Sequence, residues 1–559
     1  MKKLRWQIII AVIALGAIAI LLVGQKNPIN VIIPEPTTGG VYVEGLVGSP
    51  SRFNPLLNYK NQVDRDITRL IFSSLIKFDS LGNPQPDLAE SFGVSVTAEI
   101  YNVTLRENAL WHDGTPVTTE DVLFTVNLMR NAEMPIPVDL RELWNSVDVI
   151  ALDALNLQFR LKETYSPFLD YLSFGILPRH ILGGKSPQEI INDSFNLAPV
   201  GTGPYRFVEL RTESGLITGV VLQAFEDYYL KPPWIEEFVF RFYPDTATLF
   251  EAYQNGQVLS IDHTDPFFLD TILSAVDLNV YTARLPQLAI VLFNLDHSEK
   301  PFFADLEFRK ALMTGLNRSW MIDQALNGQA MVAHGVIFPG TWAYYEDVKK
   351  YDYDPEMAIE ILREAGYKLP PNGTVREKDG IQLGFNLVFP NTDRHAILAQ
   401  MIQVYWANIG IFVNIVPVDY ESLLHDYLEP RNYDAALVDL TFAGSPDPDP
   451  YPFWHQAMIT GGQNYSKWDD RRASEYLERA RVTPDRFERT RLYRNFQLHF
   501  SRELPALPLF YPMYNYAVDN EVLGIQLGPI YDPSDRFATV LDWFLEARPR
   551  ERDSEDIGE

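Results

Sequence analysis

The segment from Leu398 to Val416 constrains the fold more than any other part of the chain. Leu398, Met401, Ile402 and Tyr405 share one face at helical spacing, and the pattern stops at Asn408–Gly410. Ile411, Val413 and Ile415 then alternate with Phe412, Asn414 and Val416. The spacing predicts a helix, a glycine turn and a strand buried on both faces. A strand of that kind must be covered on both sides, which is the pattern of an α/β layer.

Other segments repeat the alternation. Thr118, with Asp121 following, approximates a capping box, and Val122, Val126 and Met129 lie on one face. Asp354 can cap a helix that Pro355 opens and Gly366 closes, with Ala358, Ile361, Leu362 and Ala365 as its stripe. Phe308, Ala311, Leu312 and Gly315 form another stripe, and Ser319 starts a short helix. Trp468 to Arg502 reads as two charged amphipathic helices, while Val41–Gly48 and Leu507–Val518 have strand composition. At 559 residues the chain exceeds what one core serves. Two α/β regions are expected, one over 41–286 and one over 287–507, with 508–546 returning to the first.

The ends read differently. Lys2, Lys3 and Arg5 precede an uncharged apolar run from Ile8 to Gly24, seventeen residues or roughly 25 Å of helix. Signal-peptide cores are usually shorter, and cleavage after Gly24 would put bulky Leu22 where a small residue is preferred. The reading taken is an uncleaved N-terminal transmembrane helix within residues 1–25, entering the membrane through residues 8–24. A cleaved signal is the alternative. The positive-inside bias puts everything after Gln25 outside the cytoplasm. Residues 26–40 read as a linker and 547–559 as a disordered tail.

Composition removes several functions. The chain has no cysteine, which excludes disulfides, thiolate nucleophiles, thiolate metal sites and a lipid-bearing cysteine. A net charge of −27 repels nucleic acid, so no nucleic-acid partner is expected. The nine histidines form no HExxH spacing, and neither a nucleophile elbow nor a phosphate loop is present. Carboxylate pairs are plentiful, so a glycosidase stays open on composition alone. Asp262, His263 and Asp265 could ligate a metal, but a solvated surface loop is the simpler reading.

The stretch Thr441–Trp454 is the most informative. It reads Thr-Phe-Ala-Gly-Ser-Pro-Asp-Pro-Asp-Pro-Tyr-Pro-Phe-Trp, and its four prolines exclude a helix interior or central strand. A loop so stiffened loses little entropy on binding. Phe442, Gly444, Ser445, Asp447, Asp449, Tyr451 and Trp454 are therefore candidate ligand contacts. Alternatively Asp447 and Asp449 cap turns and the aromatic rings are core. His112-Asp113-Gly114-Thr115-Pro116 is read as a strand-to-turn motif.

Several segments taken together resemble a known family. They are Asn54-Pro-Leu-Leu57, Pro86-Asp-Leu-Ala-Glu-Ser91, Leu105 through Val122, Gly201-Thr-Gly-Pro-Tyr205, Phe293-Asn294, Phe308-Arg-Lys-Ala-Leu312 with Asn317-Arg318, Gly410-Ile-Phe-Val413, Asn432-Tyr-Asp434 and Asp447-Pro-Asp449. Their order is similar to that of bacterial extracellular solute-binding proteins of family 5, which serve dipeptide, oligopeptide and nickel transporters. The resemblance implies a two-lobed clamshell of the type II periplasmic-binding-protein class. It implies an extra subdomain over 64–199, and closure by hinge motion around a peptide or peptide-like small solute. The implied partners are the permease subunits of an ABC importer. A monomer without cofactor or catalysis is expected, on the outer face of the cytoplasmic membrane. Asn54 and Asn294 join the candidate contacts on this resemblance, and Gly201, Gly203 and Pro204 either shape the cleft or form a structural turn.

One position departs from the pattern. Peptide-binding relatives carry an amine-gripping aspartate three positions before the acidic-Pro pair, where this chain has Gly444. Glycine cannot neutralise an ammonium group. Either Asp447 or Asp449 substitutes, or the solute lacks a free α-amine, which tells against a dipeptide and leaves oligopeptides, modified peptides, oligosaccharides or metal chelates. A ligand sensor without transport is a further alternative.

Overall fold

The long strand Ala506–Asp519 organises the architecture. Its first half pairs antiparallel with Gln287–Phe293 and Ala330–Val332, and its second half with Leu278–Arg284 and Ser260–Ile261. In this computed structural model, which describes residues 35–546 apart from 80 and 443, a twelve-stranded mixed sheet therefore runs continuously through one strand. On one side lie Gln287–Phe293, Ala435–Thr441, Gly384–Pro390 and Phe412–Val418, the last three mutually parallel. On the other lie Val41–Val47 and Glu237–Tyr243, also parallel, then two antiparallel strands, Leu216–Ala224 and Tyr205–Glu213.

The buried apolar residues divide at the same place. One cluster gathers side chains from Tyr42 to Ala283 and from Tyr514 to Trp543. Two others, on opposite faces of Gln287–Phe293, gather residues between Leu288 and Tyr511. Val291 and Phe293 join one and Leu288, Ile290 and Leu292 the other. The strand is apolar at nearly every position because period-two alternation serves two faces, both covered. A separate antiparallel sheet, formed by Ala89–Val94, Ile100–Leu105, Val147–Ala151 and Asn156–Leu161, packs Trp144 against Phe159, Phe168 and Phe174.

Local signals produce the expected elements. Thr118 caps the helix Thr119–Arg130, with Asp121 completing the box. Asp354 accepts the Met357 N–H at the head of Pro355–Glu364. The helix Asp393–Asn408 ends before Gly410, whose φ of +86° glycine adopts without a Cβ penalty. The strand after it departs from expectation. Among the described residues Phe412–Val418 is the sheet edge, with Val413 buried but Phe412 57% exposed, so the strand is covered on one face and not on both.

The proposed anchor (1–25), residues 26–34 of the linker and the tail (547–559) lie outside the described residues. No helix among the described residues is long and apolar enough to cross a membrane.

A buried ionic cluster ties the chain ends of the first core together. The Arg536 guanidinium donates to Glu44 at 3.0 Å and to both Asp66 oxygens at 2.9 Å. Glu44 also accepts the hydroxyls of Tyr42 and Ser260 at 2.6 Å and of Tyr516 at 2.8 Å. Arg536 is 1% exposed, so its loss would leave two carboxylates without a counter-ion. Arg536→Met should destabilise the fold by about 3–5 kcal/mol, measured by urea unfolding.

Candidate functional site

A cavity of about 290 Å³ lies where the two sets of cores meet. Its walls come from the end of the strand Leu278–Arg284 and from turns. One wall is Thr282–Arg284 with Pro286, where the chain leaves the first core. A second is the Phe338–Thr341 turn, and a third is Phe442 with Ser445, Pro446 and Pro448. Met513 and residues 527–531 close it. Prolines and apolar side chains dominate, and Arg284 is the one charged residue among those that line it. The Arg284 Nη1 donates to the Pro339 carbonyl at 2.9 Å. Gly340, at φ +91°, allows this approach, since a Cβ there would sit 2.9 Å from Nη1.

The proline-rich loop is held on every side. The Phe442 N–H donates to the Pro286 carbonyl at 2.9 Å, and the Gly444 N–H to that of Tyr531 at 2.8 Å. Gly444 has φ +90° with open space around its absent Cβ. The Ser445 hydroxyl and the Asp447 N–H both donate to Asp170 Oδ2, at 2.6 and 2.7 Å. Asp447 is paired with Arg489 at 2.5 Å, and Asp449 with Arg481 at 2.7 Å. Arg481 lies 3.6 Å over the Tyr451 ring, which stacks on His455. Both arginines come from the charged helices Arg471–Val482 and Arg486–Glu503.

These pairings correct one expectation. Asp447 and Asp449 are already neutralised from behind, so neither is a free charge for a ligand amine. Burial pushes the Asp447 carboxyl up despite Arg489. Burial, then the Asp447 charge, pushes Asp170 up to about 7.

The remaining candidates divide by location. Phe442 and Ser445 line the cavity, with Gly444 beside them. Trp454 is 1% exposed and packs in the core against Phe500 and Trp468. Asn54 is buried, donating to Asn196 at 2.9 Å and accepting the Leu56 N–H at 3.0 Å. Asn294 lies beyond the far end of Gln287–Phe293, donating to the Arg431 carbonyl. The fold brings none of these three to the cavity wall, because each completes local packing instead. Gly201 and Gly203 also serve packing, since a Cβ would fall 1.9 Å from the Ile71 carbonyl and 2.3 Å from that of Leu70. His112 bonds to this turn, accepting the Gly201 N–H at 3.1 Å.

Of Asp262, His263 and Asp265, the last two are exposed as a solvated loop requires, whereas Asp262 is buried, as is the neighbouring Thr264. Asp262 and Thr264 are 7% and 1% exposed, at the ends of parallel strands in the first core. Among the described residues no group of three His, Cys, Asp or Glu side chains could hold a metal.

Sequence reasoning missed Asp170, Arg284, Phe338–Thr341 and Tyr531. The Pro339-Gly340 turn carried a local signal, but Asp170 meets Ser445 across 275 residues of chain and had none.

The family model for bacterial extracellular solute-binding proteins, family 5, matches residues 83–461. The oligopeptide-binding protein AppA of Bacillus subtilis is 27% identical over 91% of this chain and 92% of its own. Its structure, in complex with a nonapeptide, matches with a TM-score of 0.71 and 25% identity, covering 91% of this chain and all of that one. The nickel-binding periplasmic protein of Escherichia coli is 27% identical over 85% of this chain and 90% of its own.

Asp170 holds a proton to about pH 7 in the folded protein, whereas an unfolded aspartate releases it near its ordinary value. Folding therefore takes up a proton between those limits, and stability falls as pH rises through them. Asp170→Asn should flatten the dependence of unfolding free energy between about pH 5 and 7, checked by chemical denaturation across that range.

Proposed function

The chain belongs to the bacterial extracellular solute-binding proteins of family 5, and from that premise we propose that it is the extracytoplasmic substrate-binding component of an ABC importer. It captures peptides or a peptide-like solute between two lobes and delivers it to permease subunits. The observation that carries this reading is the cavity whose walls come from both sets of hydrophobic cores. In the reading proposed, the first lobe comprises residues 41–286 and 508–546, with 64–199 as its extra subdomain, and the second comprises 287–507. The two chain crossings, near Pro286 and Tyr511–Tyr514, serve as the hinge. The division of the cores at these positions supports it. Residues 8–24 hold the protein, as a monomer, at the outer face of the membrane.

Capture needs no covalent chemistry. A ligand that contacts both walls of the cavity favours the closed arrangement by its differential affinity for it. The loop from Phe442 to Pro448 is held by backbone hydrogen bonds and by Asp170, and a loop so fixed lowers the entropy cost of binding. A second reading, a non-peptide solute such as an oligosaccharide or a metal chelate, is favoured by Gly444, which offers no charge beside the cavity, and by the nickel-binding relative.

Native mass spectrometry of the fragment from Gly40 onward, purified from rich medium, tests the reading. A heterogeneous set of adducts at peptide masses is expected. A single non-peptide mass would select the second reading. Small-angle scattering should show compaction on saturation with the retained solute, and an unchanged profile would count against hinge closure.

A further inference from the structure

The parallel strands Val41–Val47 and Ser260–Ile261 end side by side, and the chain continues as Asp262, His263 and Thr264. The carboxyl ends of parallel strands are where open α/β sheets bind ligands. Asp262 is buried, and its carboxylate accepts backbone N–H groups alone, that of His263 and, at 3.4 Å, that of Val47, with no cationic partner at bonding distance. Behind it three carboxylates, Glu44, Asp66 and Asp262, face one guanidinium. Arg536 spends its short bonds on Glu44 and Asp66 and makes none with Asp262. The cluster thus carries excess negative charge next to Asp262. Burial pushes its carboxyl up to about 7, with Arg536 opposing and Asp66 and Glu44 adding to the rise.

Two hydroxyls at the same place have no partner. Thr264 Oγ1 and Tyr514 Oη are unbonded, and both residues are 1% exposed. The Thr264 N–H donates to the Asn515 carbonyl, next to Tyr514, whose ring stacks parallel to His263 with centroids 5.6 Å apart. His263 is itself exposed, yet burial is the main cause that lowers its pKa. The Arg394 charge, from the helix Asp393–Asn408 of the second core, also acts on His263. Arg394 is itself bound to Asp439, so it brings no net positive charge there.

We propose that Asp262, Thr264 and Tyr514 together receive a cationic group, the protonated amine of the captured solute. This rests on the peptide reading above. An ammonium has three donors, and the site offers a carboxylate and two unpartnered hydroxyl oxygens. The excess negative charge selects a cation, and the hydroxyl oxygens suit an N–H donor.

The test uses the peptide most strongly retained from a casein digest, synthesised with a free and with an acetylated amino terminus. Titration calorimetry at about pH 8 compares wild type, Asp262→Asn and Tyr514→Phe. Wild type should prefer the free amine by roughly 30-fold or more, the scale of removing one partner of a buried charge pair. Asp262→Asn should abolish that preference while still binding the acetylated form, and Tyr514→Phe should reduce it. Folding is checked separately. Asp262 is ionised at about pH 8 and its charge is unfavourable there, so Asp262→Asn should raise the melting temperature at that pH and raise it less as the pH is lowered toward 5. The groups that set this titration are Glu44, Asp66 and Arg536, with Tyr514 and His263 in contact. A preference that persists in folded Asp262→Asn overturns the proposal alone. Binding of neither peptide to wild type overturns both the proposal and the peptide reading.

Discussion

Backbone hydrogen bonding along Ala506–Asp519 is the constraint on which the rest of the structure depends. This strand serves both sets of cores, and its register fixes how their sheets meet. A one-residue slip would turn every buried side chain of the strand to the wrong face. The cavity lies where the strand passes from one core to the other, beside Met513. Its geometry is therefore set by the same pairing that sets the fold.

Charge is handled differently in the two halves. In the second, carboxylates of the proline-rich loop meet arginines from adjacent helices one to one, through Asp447 with Arg489 and Asp449 with Arg481. The loop is fixed and electrically quiet. In the first, one arginine answers more than one carboxylate, and unpartnered hydroxyls stand nearby. Buried polar groups are normally satisfied, so such a place stands out from a packed interior. The two halves thus differ: the second presents a fixed, mostly apolar wall to the cavity, and the first holds a buried excess of carboxylates.

Asp170 joins the extra sheet of the first core to the loop of the second. It accepts from Ser445 and from the Asp447 backbone, and the Ser166 hydroxyl nearby donates to the Thr483 carbonyl. These contacts reach across the line that divides the cores. They join the two sets of cores by specific hydrogen bonds as well as by an apposition of surfaces.

Periodicity and caps in the sequence determined the elements. The Thr118 and Asp354 caps, the Gly410 turn and the apolar strands are local, because each depends on neighbours within a few residues. The prolines of residues 446–452 determined that this segment is a loop. The sequence could not say what that loop faces. Asp447 and Asp449 read as ligand contacts or, alternatively, as internal caps, and nothing local showed that Arg489 and Arg481 come from helices further along the chain to pair with them. Asn54, Asn294 and Trp454 were assigned to packing in the same way. Arg284, Asp170 and Tyr514 carry no local pattern, and they acquire meaning only from neighbours far along the chain, 55 residues away for Arg284 and 275 for Asp170. A cleft between cores is a property of long-range pairing, and pairing partners are what local sequence does not encode.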